Sequence, residues 1–370
     1  MEINIAQMKD LLHDYWGKQL PMMTMGAPGI GKSEGTAQVA KKIAKEVGKE
    51  YAEELVELHV AKDGIEVKTD YKKKDMDKHF FFIDVRISQL EPADIRGLPF
   101  PDGGNVRWLT PDWLPDGGQG ILFFDEINLA PPSIQAAAYQ LINDRKVGSY
   151  ILPDGWTIFA AGNREIDGCN VFPMSAALKN RFLHATLNVP SDEEWIDWAM
   201  ENEIHSDIIS FIAFKPTLLF KFNKNSKDNA FPTPRTWVRA SNAIKGHEKI
   251  DDVYLRAATC VGQATALEFQ GYIKLKKKVN IDDILKNPKK VRDIGDLGLK
   301  YTMISGLAEK YKSDRNKMEP IMKVIEELDA EFGVFLLRLM RGMHQANFKK
   351  DLMTSKTWEK LYKQYSKFLL

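Results

Sequence analysis

Short, unbroken apolar runs punctuate the first half of the chain: MMTM at 22–25, FFFIDV at 80–85, ILFF at 121–124, TIFAA at 157–161 and LHATLNV at 183–189. Runs of this length without polar alternation predict strands buried on both faces, the condition of a parallel sheet. Between them the pattern switches to helical spacing. Ala40, Ile43, Ala44 and Val47 fall on one helix face, and Pro131-Pro132 opens a second helix carrying Ile134, Ala137, Ala138 and Leu141. The alternation predicts a doubly wound α/β domain with five parallel strands over residues 1–190.

Two segments break the rhythm. Residues 48–79 hold 16 charged side chains in 32 positions, too many to line a core, and read as a surface insertion, part helical. Residues 91–120 are crowded with Pro and Gly around Phe100, Trp108 and Trp113, a composition that makes turns and a hairpin. Its aromatics suit either a tucked hairpin core or an exposed grip on a substrate. Beyond Pro190 helical patterns dominate, over 191–213, 235–246, 252–275, 296–312 and 316–368, with a turn-rich break at 223–234. The seven Lys and two Asp of 271–290 read as a solvated face.

Charge and cysteine content narrow the possibilities. Fifty-two Lys and Arg against 51 Asp and Glu leave a net charge of +1, without the basic excess of a protein that coats nucleic acid or acidic membrane. No apolar run approaches the ~20 residues of a bilayer span, and the start MEINIAQMKD lacks a signal-peptide pattern, so a cytoplasmic location is expected. Cys169 and Cys260 are the two cysteines and form no CxxC pair, and no HExxH occurs. Disulfide frameworks and hydrolytic metal sites built from protein ligands alone are disfavoured.

The chemistry concentrates at strand ends. Gly26-Ala27-Pro28-Gly29-Ile30-Gly31-Lys32-Ser33 fits GxxxxGK[ST], directly after one predicted strand and before a helix. Its glycines let backbone N–H groups and the helix N-terminus point at phosphate oxygens; Lys32 would meet the β- and γ-phosphates of a nucleotide and Ser33 would bind Mg²⁺. The strand ILFF ends in Asp125 and Glu126, which suits Asp125 to a Mg²⁺ shell and Glu126 to orienting and deprotonating a water. Asn163, ending the next strand 38 residues on, reads alone as a turn residue but in this order suits an amide that holds the attacking water. Arg145 reads as a solvated helix end.

The order of P-loop, FFDEIN, AAGNRE, ALKNRF and TPRTW over roughly residues 1–245 resembles the MoxR-like branch of AAA+ ATPases. The resemblance implies a P-loop αβα sandwich over 1–190, with 91–120 as the helix 2 insert and 148–155 as a hairpin before sensor 1. It further implies a helical lid over 191–250 and a C-terminal helical extension over 251–370. It also implies Asp125 and Glu126 as Walker B, Asn163 as sensor 1, Arg181 as a finger acting on a neighbouring subunit, and Arg235 as sensor 2. Without the family order, Arg181 and Arg235 read as surface or ion-pair residues. The insertion at 48–79 departs from the family pattern. ATP and Mg²⁺, a ring of copies such as a hexamer, and a von Willebrand factor A domain protein as client or adaptor are implied with it. Two other readings compete: a nucleic-acid-associated motor, disfavoured by the neutral charge and the absence of Asn-Lys-x-Asp, and an ATP-gated scaffold, which has no need of Glu126 and Asn163.

Overall fold

The computed structural model describes residues 1–61, 64–68, 74–168, 170–223 and 228–365, with the backbone alone over 57–68. Two compact units divide it, Met1–Val189 and Pro190–Leu370.

In chain order the first unit contains β1 (Glu2–Ile3), α1 (Ile5–Gly17), β2 (Met22–Met25), α2 (Lys32–Glu46), β3 (Glu50–Ala61), β4 (Gly64–Lys68), β5 (His79–Arg86), α3 (Pro92–Arg96), β6 (Leu98–Asp102), β7 (Asn105–Leu109), β8 (Gln119–Asp125), α4 (Pro132–Asp144), β9 (Lys146–Val147), β10 (Tyr150–Ile151), β11 (Trp156–Gly162), α5 (Ala176–Lys179) and β12 (Leu183–Leu187). One sheet runs β1-β12-β2-β11-β8-β5-β3-β4. Its neighbours are parallel except for the antiparallel edge pair β3–β4. Strands with helices on both faces must be apolar on both, which is why the buried runs were legible. Leu122, Phe124, Ile158 and Ala160 pack with Ala137, Ala138 and Leu141 of α4 on one face. On the other, Phe80 meets Trp16 of α1 edge-on, with ring centroids 5.5 Å apart.

The predicted class holds, with seven parallel strands in place of five. The two additions have a plain cause. β1 is two residues long, too short to form a pattern, and β3 hides behind its charge. The expected part-helical insertion at 48–79 is instead strand wherever regular structure is described in its first half: β3 pairs with β5 from Glu50↔His79 to Val56↔Val85 and with β4 beyond. Ala52 and Val56 enter the core at period two while Glu53 faces outward. High charge excludes two-sided burial, but it leaves an edge strand free to bury one face.

Residues 91–120 form the expected hairpin, β6–β7, with the short helix α3 unforeseen before it. Its aromatics divide between burial and exposure. Trp113 is 1% exposed, with its Nε1–H donating to Asp94 O, whereas Phe100 is 56% and Trp108 39% exposed. β9 and β10 form the second small hairpin. Arg145 is not solvated as expected. It caps α4 in the left-handed region (φ 55°) and donates to Trp156 O and Pro153 O at 2.8 Å, which ties that hairpin to β11; burial holds its guanidinium below the usual range.

The second unit is helical: α6 (Asp192–Glu201), α7 (Ser206–Phe214), α8 (Pro234–Ile244), α9 (Ile250–Val261), α10 (Gln263–Lys276), α11 (Ile281–Lys286), α12 (Leu297–Ser313), α13 (Met318–Ile325), α14 (Ala330–Met343), α15 (Gln345–Met353) and α16 (Lys356–Tyr365). A single apolar cluster from Trp195 to Tyr365 unites them. The pattern read as one helix at 252–275 is two, because Gly262 at φ 83° ends α9 and opens α10. Lys276, from the lysine-rich stretch read as a solvated face, is drawn inward and donates to Asp207 at 2.9 Å and Glu309 at 2.8 Å. Its ammonium thus bonds both carboxylates of the group that Asp207 and Glu309 form with His205. Among the described residues no helix is long and apolar enough to cross a membrane.

Candidate nucleotide site

Parallel strands deliver their carboxyl ends to one edge of the sheet, and the strand order decides which ends are neighbours. Met25 of β2 lies beside Gly162 of β11, and β11 lies beside β8. The loop 26–31, Asn163 and Asp125-Glu126 are therefore brought together although 92 residues separate Ser33 from Asp125.

The loop is held in a shape only glycine tolerates at its turning points. Gly29 (φ 76°) and Gly31 (φ 102°) are left-handed. A Cβ on Gly26 would lie 2.9 Å from Leu187 O and 2.8 Å from Ile30 Cδ1. Gly31 is the N-cap of α2 and offers no side-chain cap, so the first N–H groups of that helix stay available for an anion. Lys32, 8% exposed, folds back across the loop and donates to Gly26 O at 2.8 Å, Ala27 O at 2.9 Å and Asn163 Oδ1 at 3.1 Å. A buried ammonium is tolerable only when so surrounded. Ser33 Oγ donates to Asp125 Oδ2 at 2.7 Å, and the N–H of Glu126 donates to Asp125 Oδ1 at 2.8 Å. The donor set (hydroxyl, carboxylate, ammonium and helix N-terminus) suits a phosphate chain with a hard divalent cation.

Glu126 stands in the left-handed region (φ 55°, ψ 33°), where a non-glycine residue stores strain of about 1 kcal/mol or more. The kink turns its side chain off the line of β8, and among the described residues its carboxylate accepts no hydrogen bond from another side chain.

Two residues of this site were not singled out from the sequence. Asn128, 4% exposed, clasps the backbone of Asn163: its Nδ2 donates to Asn163 O at 2.6 Å and its Oδ1 accepts from Asn163 N at 3.0 Å. A Cβ on Gly162 would stand 2.8 Å from that Oδ1, which accounts for the glycine. The signal was a polar residue between Ile127 and Leu129, in a segment otherwise turning back into the core. Asp84 is the second. It lies on β5 one residue before the Val85↔Phe124 pair, with a buried Oδ1 that has no partner. Burial first and Asp125 second push its carboxyl up to about 7.

Arg181 and Arg235 lie elsewhere. Arg181 follows α5 and precedes Leu183, which pairs with Met22 at the start of β2. It therefore sits at the sheet edge opposite Lys32, about 13 Å of strand away. Its guanidinium lies over the Tyr139 ring, 5.6 Å from the centroid, and its buried Nε has no hydrogen-bond partner. An apolar groove of about 480 Å³, lined by Pro132, Gln135, Tyr139, Pro173, Met174 and Leu178, lies beside that tyrosine. Arg235 is exposed in the first turn of α8, in the second unit, behind the capping box of Thr233 and Thr236.

Residues 21–182 match the family model described as AAA domain (dynein-related subfamily). Among solved structures, the chain is similar to a putative ATPase from Cytophaga hutchinsonii, with 12% identity over 91% of this chain and 79% of that one and a TM-score of 0.34. It is similar also to NtrX from Brucella abortus in complex with ATP, with 11% identity, 99% and 68% coverage and a TM-score of 0.33. A third is a DNA polymerase III gamma subunit-related protein from Thermotoga maritima, with 10% identity, 98% and 92% coverage and a TM-score of 0.30. Among curated proteins none matches. With similarities this distant, the family match over 21–182 identifies the domain. The first unit thus carries a P-loop domain of the AAA class, and the protein is an ATP hydrolase.

Proposed function

We propose that this ATP hydrolase is a MoxR-like remodelling factor that works as a ring of copies, such as a hexamer, and uses Mg-ATP turnover to strain a bound protein. The observation that carries the catalytic half is the meeting of Lys32, Ser33, Asp125, Glu126 and Asn163 at one sheet edge. Lys32, released from Gly26 O and Ala27 O, neutralises phosphate charge. Ser33 and Asp125 hold the cation, which supplies charge neutralisation on the phosphates. Glu126 takes the proton of the attacking water, and Asn163, fixed by Asn128, orients that water. A scaffold that merely senses nucleotide would need neither the kink at Glu126 nor the Asn128 clasp.

The remodelling half rests on the β6–β7 hairpin, whose apolar side chains stand in solvent, and on the motif order that resembles MoxR-like proteins. In this reading a von Willebrand factor A domain protein is client or adaptor. Residues 191–250 act as the lid and 251–370 as an extension. Arg235 serves as sensor 2.

Arg181 acts on the nucleotide of a neighbouring copy. Its place at the edge opposite Lys32 supports this, because an arginine side chain spans about half of the distance to its own P-loop. Its unpartnered Nε and the groove beside Tyr139 fit a residue that completes its contacts at an interface. The test is complementation. Arg181→Ala should lower turnover about 10³-fold with ATP affinity nearly unchanged, and Lys32→Ala should lose ATP binding. Mixed assemblies of the two should regain activity, since the first keeps a competent pocket and the second still offers Arg181. Co-assembled mixtures that recover nothing would return Arg181 to a structural role.

A further inference from the structure

The two edges of the β6–β7 hairpin are not equivalent. Its turn, Gly103 (φ 56°) and Gly104 (φ 91°), has both central residues left-handed, the type I′ geometry of a two-residue loop. Asp102 and Asn105 therefore form the closing hydrogen-bonded pair, and along the antiparallel ladder the pairs alternate. Leu98↔Leu109 and Phe100↔Arg107 exchange hydrogen bonds, while Pro99↔Trp108 and Pro101↔Val106 do not. Proline chemistry gives the same assignment independently, because neither Pro99 nor Pro101 has an N–H to exchange.

The residues that do not pair inward point their backbone outward. On β6 these are the two prolines, so that edge offers no donor and cannot template another strand. On β7 they are Val106 and Trp108, each with a free N–H and C=O; no hydrogen bond from another element reaches them among the described residues. A cleft of about 460 Å³ is lined by four consecutive residues of β7, Asn105, Val106, Arg107 and Trp108, by Asp102 and Gly103 at the hairpin turn, and by Ser149 of the β9–β10 turn. Consecutive residues point to opposite faces of a strand, so a cleft that touches all four follows the edge and not a face. Gly148 lies against Trp108: a Cβ there would stand 3.5 Å from Trp108 Cβ.

We propose that the outer edge of β7 is a binding site for an extended polypeptide segment that adds as an antiparallel third strand, with an acidic residue opposite Arg107 and apolar residues beside Val106 and Trp108. Main-chain pairing supplies affinity with little demand on sequence, which suits a protein that must grip varied clients. Arg107 supplies the preference, for it is exposed and makes no ion pair among the described residues. It also argues against a second copy of β7 as the occupant. The self-pairing that uses both Val106 and Trp108 is centred on residue 107 and would set Arg107 against Arg107, a destabilising like-charge pair. The proposal deepens the reading of the hairpin as the part that grips a protein.

The probe is a fluorescein-labelled pentapeptide, Thr-Val-Glu-Val-Thr amide, titrated against the full chain by fluorescence polarisation. N-methylation of both Val residues removes the amides that would donate to Val106 and Trp108 and should weaken binding about tenfold or more. Replacing its Glu by Lys should weaken binding several-fold, and that loss should shrink at high salt. Val106→Pro deletes an outward N–H without touching the β6–β7 ladder and should lower affinity about tenfold, whereas Val106→Thr should not. No binding of the parent peptide at about 1 mM, or equal affinity for the N-methylated one, overturns the proposal. So does a self-association of the chain that Val106→Pro abolishes while peptide binding persists. ATP turnover of the unmodified chain is measured on the same preparation. Turnover without peptide binding fails the edge site alone, and absence of turnover fails the catalytic reading.

Discussion

The P-loop cradle and the β6–β7 hairpin are both glycine turns with a cation beside them, yet they solve opposite problems. In the cradle the side chains that shape the loop are paired, Lys32 with three acceptors, Ser33 with Asp125 and Asn163 with Asn128, and only the Glu126 carboxylate and the N–H groups opening α2 are left for ligand. At the hairpin the cation Arg107 and the backbone of Val106 and Trp108 are left open, and the apolar side chains stand in water. A site that must hold reacting atoms in one geometry satisfies its groups internally and exchanges those partners for ligand. A site that must accept varied partners leaves its groups unsatisfied and tolerates the solvent exposure. Rigidity and openness are thus separated in space within one unit.

The largest expected effect tests the fixed side. Glu126→Gln should bind Mg-ATP normally and lower single-turnover hydrolysis about 10²- to 10⁴-fold, since only the proton acceptor is removed. Turnover at the unsubstituted rate would show that the kinked residue is not the base. Next, thermal or denaturant unfolding should separate the buried and open aromatics of the insert. Trp113→Ala should cost about 3–5 kcal/mol, while Phe100→Ala with Trp108→Ala should cost less than about 1 kcal/mol each. Equal losses would mean that the hairpin is core and the contrast with the cradle is false.

The smallest effect is a pH dependence beside the cradle. In the folded state the carboxyl of Asp84 is pushed up to about 7, against 3.8 ordinarily. Between those values the folded chain holds a proton that the unfolded chain has lost. Stability therefore falls as pH rises through that window, and the loss is complete above it. Asp84→Asn should accordingly stabilise the nucleotide-free protein at pH 8 by on the order of 2 kcal/mol and have little effect near pH 4. A gain of the same size at both would point to packing and not to ionisation.

The elements legible in the sequence were those whose own residues carry the constraint. Double-sided burial writes an unbroken apolar run, so β2, β5, β8, β11 and β12 were foreseen. β3 was not, because a one-sided edge strand can be as charged as a loop. The loop 26–33 was legible for a similar reason: left-handed backbone requires glycine wherever it occurs. Asn128 and Asp84 were not, since each owes its importance to a neighbour far away in the chain, and one Asn or Asp looks like any other until that neighbour is known.

The sequence by itself determined an α/β nucleotide unit, its phosphate loop, the acidic strand end and a helical second half, because backbone chemistry and periodic burial are local. Tertiary structure alone decided the rest. Strand order, with β11 between β2 and β8, sets Asn163 against Lys32 and Ser33 against Asp125. Parallel register puts Arg181 at the far edge of the sheet from its own P-loop. The hairpin ladder leaves β7 and not β6 with an open edge. Each of these is a relation between segments distant in sequence, fixed by which strands share hydrogen bonds, and no local pattern encodes it.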